Sequence, residues 1–126
     1  MKMKAAVYRS FSGPIAIESI PRPTAPPDGV VIQVMATGVC RSDWHGWKGH
    51  DGDVISHGLP FTPGHEVSGI IEGDRVAVPF ILSCGECGMC THRNRPTICE
   101  RQQQPGFTMR GSFAEYLALP RASSGS

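Results

Sequence analysis

Four cysteines of the 126-residue chain have the residue type and the spacing of a metal site. Cys84, Cys87 and Cys90 recur at every third position, and Cys99 follows after an arginine-containing loop. Glycines between the first three allow a sharply turning loop whose sulfurs converge and whose backbone amides face them. Four thiolates form a closed structural zinc site, which leaves no position for substrate. The alternative of buried or disulfide-paired cysteines is disfavoured, because the loop has few apolar residues.

A second set of metal-competent side chains occurs in two separate segments. Cys40 and Asp43 lie in the first segment, and His65 and Glu66 lie in the second. A thiolate, an imidazole and a carboxylate make an incomplete ligand set of the kind that keeps a coordination position open for chemistry. Asp43 is a natural acceptor for the far ring nitrogen of a metal-bound histidine. Two alternatives stay open at this point: Cys40 as a small buried apolar residue, and His65 as a hydrogen-bonded core histidine.

Short apolar runs with partial alternation must position these side chains, and they predict strands. Turn clusters rich in proline and glycine separate the runs. One short helix is expected after Cys40, with Ser42 or Asp43 as its N-cap, and a tight hairpin is expected around Gly73-Asp74. The pattern predicts a mainly β barrel or sandwich with no long amphipathic helix. The predicted strands are Ala5–Tyr8, Ile15–Ile20, Val30–Met35, Val67–Ile71, Arg75–Ile81 and Ser112–Leu119.

Length and composition limit the classes of protein that this chain can represent. A chain of 126 residues has the size of one domain. Its formal net charge of +1 gives no indication of a nucleic-acid partner. No apolar run approaches the ~20 residues that span a bilayer, so we expect no membrane partner. Five cysteines suit a reducing compartment better than a disulfide framework, and the expected location is the cytoplasm.

Several sequence blocks resemble the zinc-containing alcohol dehydrogenases of the medium-chain dehydrogenase/reductase superfamily. The resemblance runs from about residue 3 to residue 122, with the blocks in the family's order. It implies a GroES-like catalytic domain over 1–122, a distorted β-barrel with at most short helices, and a structural zinc lobe over 84–99 as an excursion. The blocks are Gly38-Val39-Cys40-Arg41-Ser42-Asp43-Trp44-His45, Pro63-Gly64-His65-Glu66-Val67-Ser68-Gly69, Gly73-Asp74-Arg75-Val76-Ala77-Val78, the four-cysteine segment, and Gly111-Ser112-Phe113-Ala114-Glu115-Tyr116.

The resemblance also implies roles for individual residues around a catalytic zinc ion. Cys40 and His65 match zinc ligands, and Glu66 matches a carboxylate that can approach the metal. Asp43 matches the acceptor for His65. Three further residues match functional positions nearby: Ser42 takes the proton of the alcohol, His45 passes it towards solvent, and Arg41 lies near the cofactor pyrophosphate. The implied cofactors are zinc and NAD(P), and the implied substrate is a small-molecule alcohol or aldehyde.

The sequence departs from the family pattern in ways that bear on activity. It contains no Gly-x-Gly-x-x-Gly, so we expect the dinucleotide-binding domain to be absent, together with a further catalytic zinc ligand. His50 or His57 is a candidate substitute for that ligand. Glu72 joins Gly73 directly where the family has a longer strand and loop, and the segment before Cys99 is one residue longer.

Two hypotheses follow from these departures. The first is a zinc-binding catalytic domain of an alcohol dehydrogenase that is truncated and cannot transfer hydride alone. The second is an engineered or retained stand-alone β-barrel, stabilised by zinc, that serves as a scaffold or binding module without activity. Surfaces that the missing domain would cover favour self-association. Residues 123–126, Ser-Ser-Gly-Ser, have the composition of a flexible linker or an expression tail.

Overall fold

The structure is a computed structural model that describes residues 1–120. The predicted tail over 123–126 and the predicted domain end at 122 lie outside the described residues. All six predicted strands are present, with the last two shorter than expected: β1 (Lys2–Tyr8), β2 (Ile15–Pro21), β3 (Val30–Gly38), β4 (Glu66–Ile71), β5 (Asp74–Ala77) and β6 (Tyr116–Leu119). Three short α-helices, α1 (Arg41–Lys48), α2 (Gly52–His57) and α3 (Gly88–Thr91), and a 3-10 turn (Pro96–Ile98) complete the described elements.

The strands form two antiparallel sheets. One sheet contains β1 and β2, and the other has the order β5-β4-β3-β6. The segment just before β6 connects them, because the Ala6 amide donates to the Phe113 carbonyl (2.8 Å) and the Glu115 amide donates to the Lys4 carbonyl (3.1 Å). The mainly β class with short helices is therefore confirmed. No helix within residues 1–120 is long and apolar enough to cross a membrane.

Two apolar clusters hold these elements together. The alternating side chains of the four-stranded sheet bury Ile32, Val67, Leu117 and Leu119 on one face, as expected for a sheet with one face turned inward. A second cluster anchors α2 beneath the first sheet. Its buried members are Tyr8, Val54, Phe61 and Phe107.

The hairpin between β4 and β5 turns one residue earlier than the sequence pattern suggested. Ile71 pairs with Asp74, so the two central residues are Glu72 and Gly73. Their φ angles are 49° and 89°, and positive φ at both central positions is typical of a type I′ turn. The predicted tight hairpin is confirmed, whereas its assignment to Gly73-Asp74 is wrong because Asp74 already belongs to the β5 ladder.

Helix α1 begins where the sequence placed it, but with a different cap. Cys40 occupies the N-cap position, and Asp43 is the third helical residue. The Asp43 carboxylate accepts a hydrogen bond from the Cys40 amide (3.1 Å), so it satisfies a donor just outside the helix.

Helix α2 was not predicted. Its signal was Asp51, whose side chain accepts from the amides of Asp53 (2.9 Å) and Val54 (3.2 Å), as an N-cap does.

Candidate metal centres

The four-cysteine lobe leaves the β framework between Leu82 and Gln103. These two residues exchange backbone hydrogen bonds of 2.8 and 3.0 Å, which close the base of the lobe. Inside it, the only buried apolar side chains are the cysteines Cys84, Cys87 and Cys99. Because so little apolar surface is buried there, the lobe needs another source of folding energy, such as a metal ion.

The sulfurs of the lobe form a compact cluster. Cys84 Sγ lies 3.4 Å from Cys99 Sγ and 4.0 Å from Cys90 Sγ, and Cys87 Sγ lies 3.6 Å from Cys90 Sγ and 3.7 Å from Cys99 Sγ. Four sulfurs bound tetrahedrally at about 2.3 Å from one zinc ion would be separated by about 3.8 Å. A disulfide would bring two sulfurs to about 2.05 Å. The spacing therefore fits a closed zinc site and excludes disulfides among these cysteines.

Backbone amides point at the sulfurs and stabilise them as thiolates. The amides of Glu86 (3.4 Å) and Cys87 (3.2 Å) donate to Cys84 Sγ. The Glu86 amide is the largest of the causes that lower the pKa of Cys84 to about 6. The Glu100 amide similarly lowers the pKa of Cys87. The positive φ of Gly85, 74°, gives the loop the turn that a side chain would disfavour.

The charges around the four sulfurs favour the binding of a divalent cation. Burial raises the pKa of Cys90 to about 11, which disfavours a thiolate at this position unless a cation lies beside it. The Cys84 thiolate raises the pKa of Arg101, and this guanidinium also lies 3.8 Å from Glu86. A divalent cation at the centre would supply the missing positive charge, since metal binding deprotonates coordinating thiols.

The second candidate centre forms because β3 and β4 are paired. Gly38 at the end of β3 lies opposite Glu66 at the start of β4, so the residues that follow and precede these strands are neighbours. Cys40 Sγ lies 3.0 Å from His65 Nε2. The antiparallel pairing thus brings together two residues that lie 25 positions apart in the sequence. Their predicted role as zinc ligands stays a prediction.

The Asp43 carboxylate connects the segment that contains Cys40 with the segment that contains His65. Its carboxylate is buried and accepts from the amides of Cys40 and Gly64, each at 3.1 Å. Asp43 Oδ1 lies 3.5 Å from His65 Nδ1, within ion-pair distance. Among residues 1–120, buried His65 Nδ1 has no hydrogen-bond partner, so Asp43 would need only a small shift to accept from this nitrogen. The predicted orienting role of Asp43 stays a prediction.

The donors of this centre suit zinc. One ligand atom each from Cys40, Asp43 and His65 lies within 4.8 Å of the others. Two tetrahedral ligands of one zinc ion, a sulfur at about 2.3 Å and a nitrogen at about 2.05 Å, would be about 3.6 Å apart. The observed 3.0 Å between Cys40 Sγ and His65 Nε2 is therefore short by about half an ångström, a change within the reach of small side-chain rotations.

Glu66 is close to this centre without joining the group of mutually close donors. Its Oε1 lies 4.0 Å from His65 Nε2, and its side chain is 50% exposed. Neither His50 nor His57 belongs to the group formed by Cys40, Asp43 and His65 within the described residues. The candidate substitution of the further ligand by one of these histidines is therefore not found in the structure.

The three remaining predicted residues lie on α1. Ser42 is half-buried, and Arg41 is exposed with its guanidinium 4.7 Å from the centre of the Trp44 ring. His45 Nδ1 lies 3.2 Å from His50 Nδ1, a contact that the sequence reasoning missed. Its signal was the glycine before His50, which is typical of a helix end that folds back on its last turn.

Comparison with known proteins identifies the family to which this chain belongs. Residues 26–124 match the family described as the alcohol dehydrogenase GroES-like domain. An alcohol dehydrogenase of Rhizobium meliloti (strain 1021) is 42% identical over 133 residues, which cover 95% of this chain and 38% of that protein. One from Geobacillus stearothermophilus is 36% identical, covering 90% of this chain and 36% of that protein.

Solved structures of alcohol dehydrogenases have a domain with a similar fold. The alcohol dehydrogenase TADH from Thermus sp. ATN1 superposes with a TM-score of 0.83 at 29% identity, covering 96% of this chain and 38% of its own. A cobalt- and zinc-bound thermostable alcohol dehydrogenase from Pyrobaculum aerophilum gives 0.81 at 28% identity, covering 95% and 40%. The chain thus spans 36–40% of the length of these four relatives.

Proposed function

The chain belongs to the zinc-containing alcohol dehydrogenase family through its GroES-like domain, and we propose that it supplies the catalytic zinc ligands of such an enzyme. The reaction is the NAD(P)-dependent oxidation of an alcohol or reduction of a carbonyl compound. The observation that carries the proposal is the pair of Cys40 Sγ and His65 Nε2, 3.0 Å apart beside buried Asp43. A closed four-cysteine site cannot perform this chemistry, whereas an incomplete ligand set can.

Cys40 and His65 would hold the catalytic ion, and Asp43 would fix the orientation of the histidine. A zinc ion bound there lowers the pKa of an alcohol hydroxyl group. Asp43 also ties the Cys40 and Gly64 amides together, so both ligand segments are held in place by one buried carboxylate. Glu66, half-exposed beside His65, would adjust the charge around the ligands.

The α1 residues would move the proton and contribute to cofactor binding. Ser42 follows the ligand Cys40 by two residues and would accept a hydrogen bond from the substrate hydroxyl while passing a proton on. His45, one turn further along and partly exposed, would carry that proton to solvent. The exposed Arg41 guanidinium would neutralise part of the charge of the cofactor pyrophosphate.

The four-cysteine lobe would hold a second, structural zinc ion in the proposed enzyme. We propose further that these 126 residues by themselves do not transfer hydride, because their sequence has no Gly-x-Gly-x-x-Gly for the dinucleotide. Hydride transfer requires the nicotinamide ring to be positioned against the substrate. The alternative role, a zinc-stabilised scaffold or binding module, differs in that Cys40 and His65 would then have no catalytic use.

A chimera with a relative tests the proposal. These residues would replace the equivalent segment of the Rhizobium meliloti alcohol dehydrogenase, which is 42% identical over 133 residues. We expect the chimera to reduce NAD(P) with a primary or secondary alcohol, measured by the absorbance of the reduced ring. His65→Ala should abolish the activity, whereas the matched variant His57→Ala, at an exposed position, should retain it. A folded, zinc-loaded chimera with no activity, or activity that survives His65→Ala, would overturn the proposal.

The chain alone provides the complementary test. The purified 126 residues would be mixed with NAD+ or NADP+ and a series of alcohols under the same assay. We expect no reduced cofactor above the rate of a protein-free blank. Turnover that requires Cys40 would show that these residues suffice for hydride transfer and would contradict the second part of the proposal.

The proposed enzyme acts in the cytoplasm on small molecules.

Large apolar side chains remain exposed on β2, β3 and the residue before Cys40, namely Ile17 (70%), Met35 (62%) and Val39 (77%). Exposed apolar groups of this size favour association. We therefore expect the isolated chain to elute from gel filtration at a concentration-dependent volume.

A further inference from the structure

Two histidines at the end of α1 lie against each other in a geometry that suits a metal ion. His45 Nδ1 and His50 Nδ1 are 3.2 Å apart, and their ring centroids are 5.5 Å apart. Both nitrogens are the backbone-proximal atoms of rings that reach solvent, since His50 is exposed and His45 is partly exposed. Neither histidine is part of the Cys40–His65 centre or of the four-cysteine lobe.

The local backbone explains why these two side chains meet. Gly49 directly follows α1 in the left-handed conformation, with φ of 79°. The Gly49 amide donates to the Gly46 carbonyl (3.1 Å), and the His50 amide donates to the His45 carbonyl (2.9 Å). This pair of bonds is a Schellman motif, in which the residue after the left-handed glycine contacts the residue five positions earlier. The contact is usually apolar, and here both partners are imidazoles.

The distance between the two nitrogens matches a chelate. Two nitrogens bound to one ion at about 2.0–2.1 Å, with an angle of about 90–110° between them, lie about 2.9–3.4 Å apart. The observed 3.2 Å falls inside this interval. Without metal, the same separation lets the Nδ1–H of one ring donate to Nδ1 of the other. A metal ion would take the place of that proton.

We propose that His45 and His50 chelate a divalent transition-metal ion through their Nδ1 atoms, at a third site distinct from the two zinc centres. Imidazole pairs select nickel, copper and zinc over magnesium and calcium. With two protein ligands instead of four, the dissociation constant should be roughly 1–200 µM. No third His, Cys, Asp or Glu side chain among residues 1–120 joins the two imidazoles as a possible ligand.

Trp44 provides a built-in reporter for this site. Its ring centroid lies 5.0 Å from that of His45 and 5.6 Å from that of His50. The chain has two tryptophans, and Trp47 instead donates through Nε1 to the Gly13 carbonyl (2.7 Å). A paramagnetic ion held by the two imidazoles should quench Trp44 fluorescence, and Trp44→Phe should remove most of the quenching.

The test is a nickel titration of the zinc-loaded chain, followed by tryptophan fluorescence and by calorimetry. Nickel avoids the thiol oxidation that copper would cause. We expect one Ni²⁺ per chain at the site formed by His45 and His50, with a dissociation constant of roughly 1–200 µM. His50→Ala should weaken binding at least about tenfold, because a single imidazole cannot chelate. The matched variant His57→Ala, also an exposed histidine, should bind as the wild type does.

Absorbance during the same titration distinguishes the histidine pair from the cysteine sites. Nickel bound to thiolates produces an intense charge-transfer band, whereas nickel on two imidazoles does not. Quenching without that band supports the proposal. Wild-type affinity in His50→Ala, no quenching up to about 1 mM Ni²⁺, or quenching that Cys40→Ser abolishes would each overturn it.

Discussion

Replacing Cys99 with serine probes the closed zinc site at its most enclosed ligand. Cys99 is 3% exposed, and its sulfur lies 3.4 Å from Cys84 Sγ and 3.7 Å from Cys87 Sγ. It also accepts from the amides of Cys84 and Arg101, each at 3.3 Å. A serine hydroxyl is shorter and stays protonated at neutral pH, so it replaces neither the charge nor the reach of the thiolate.

The expected loss of zinc affinity in Cys99→Ser follows from the number of ligands that remain. Closed four-ligand zinc sites in small peptides bind with about 10–16 kcal/mol at neutral pH. If the four sulfurs contribute equally, Cys99→Ser lowers the zinc affinity of the lobe about 10²- to 10³-fold. Because the lobe buries only cysteine side chains, its backbone should lose hydrogen-exchange protection at zinc concentrations that keep the wild type saturated. The two β-sheets should keep their hydrogen-exchange protection.

The assay is competition for zinc against a chromogenic chelator, with amide exchange measured on the same samples. Cys40→Ser is the matched control, because it removes a thiol outside the lobe and should leave the tightest zinc affinity unchanged. The reasoning would be refuted by Cys99→Ser protein that holds zinc as tightly as the wild type. It would also be refuted by a loss of the same size in Cys40→Ser.

Three further predictions concern stability. Gly69→Ala should lower the free energy of unfolding by about 1–3 kcal/mol in urea titrations, because an added Cβ would overlap the Gln33 carbonyl oxygen across the β3–β4 ladder. Tyr8→Phe should leave stability unchanged or raise it by up to about 1 kcal/mol, because the buried Tyr8 hydroxyl has no hydrogen-bond partner within residues 1–120. Burial raises the pKa of Tyr8 to about 12 from 10.0. The unfolded chain therefore loses the phenol proton first, and the free energy of unfolding, constant with respect to this group below pH 10, should fall as the pH rises from 10 to 12.

Controls for these predictions come from the same chain. Gly52→Ala, where an added Cβ meets nothing within 4 Å, should change stability little, and an equal loss in both glycine variants would contradict the first prediction. A destabilisation above 1 kcal/mol in Tyr8→Phe would mean that the hydroxyl has a partner. The pH prediction fails if the wild type and Tyr8→Phe lose stability in parallel between pH 10 and 12.

The features that sequence alone predicted well are those that local chemistry determines. Alternating apolar residues located all six strands, and the spacing of Cys84, Cys87 and Cys90 identified a sulfur cluster that the structure contains. Cys40 and His65 were selected by residue type, yet their 3.0 Å contact depends on the antiparallel pairing of β3 with β4. Spacing along the chain carries no information about that pairing.

The features that sequence missed depend on backbone conformation. The turn at Glu72-Gly73 needs two consecutive positive φ angles, and the apparent Gly-Asp turn signal drew the prediction one residue too far. Ser42 or Asp43 was expected as the N-cap of α1, whereas Cys40 occupies that position and Asp43, the third helical residue, accepts from the Cys40 amide. The contact of His45 with His50 arises from the left-handed Gly49, which composition and periodicity do not describe.

Counting zinc ions per chain by native mass spectrometry tests the central claim most directly. The account predicts one zinc ion that survives extensive dialysis and is held by the four-cysteine lobe, since its sulfur spacing and amide donors form a closed site. A second ion, bound by Cys40 and His65, should exchange readily. A chain that purifies without metal, and whose residues 84–99 stay protected from amide exchange in strong chelator, would contradict the account.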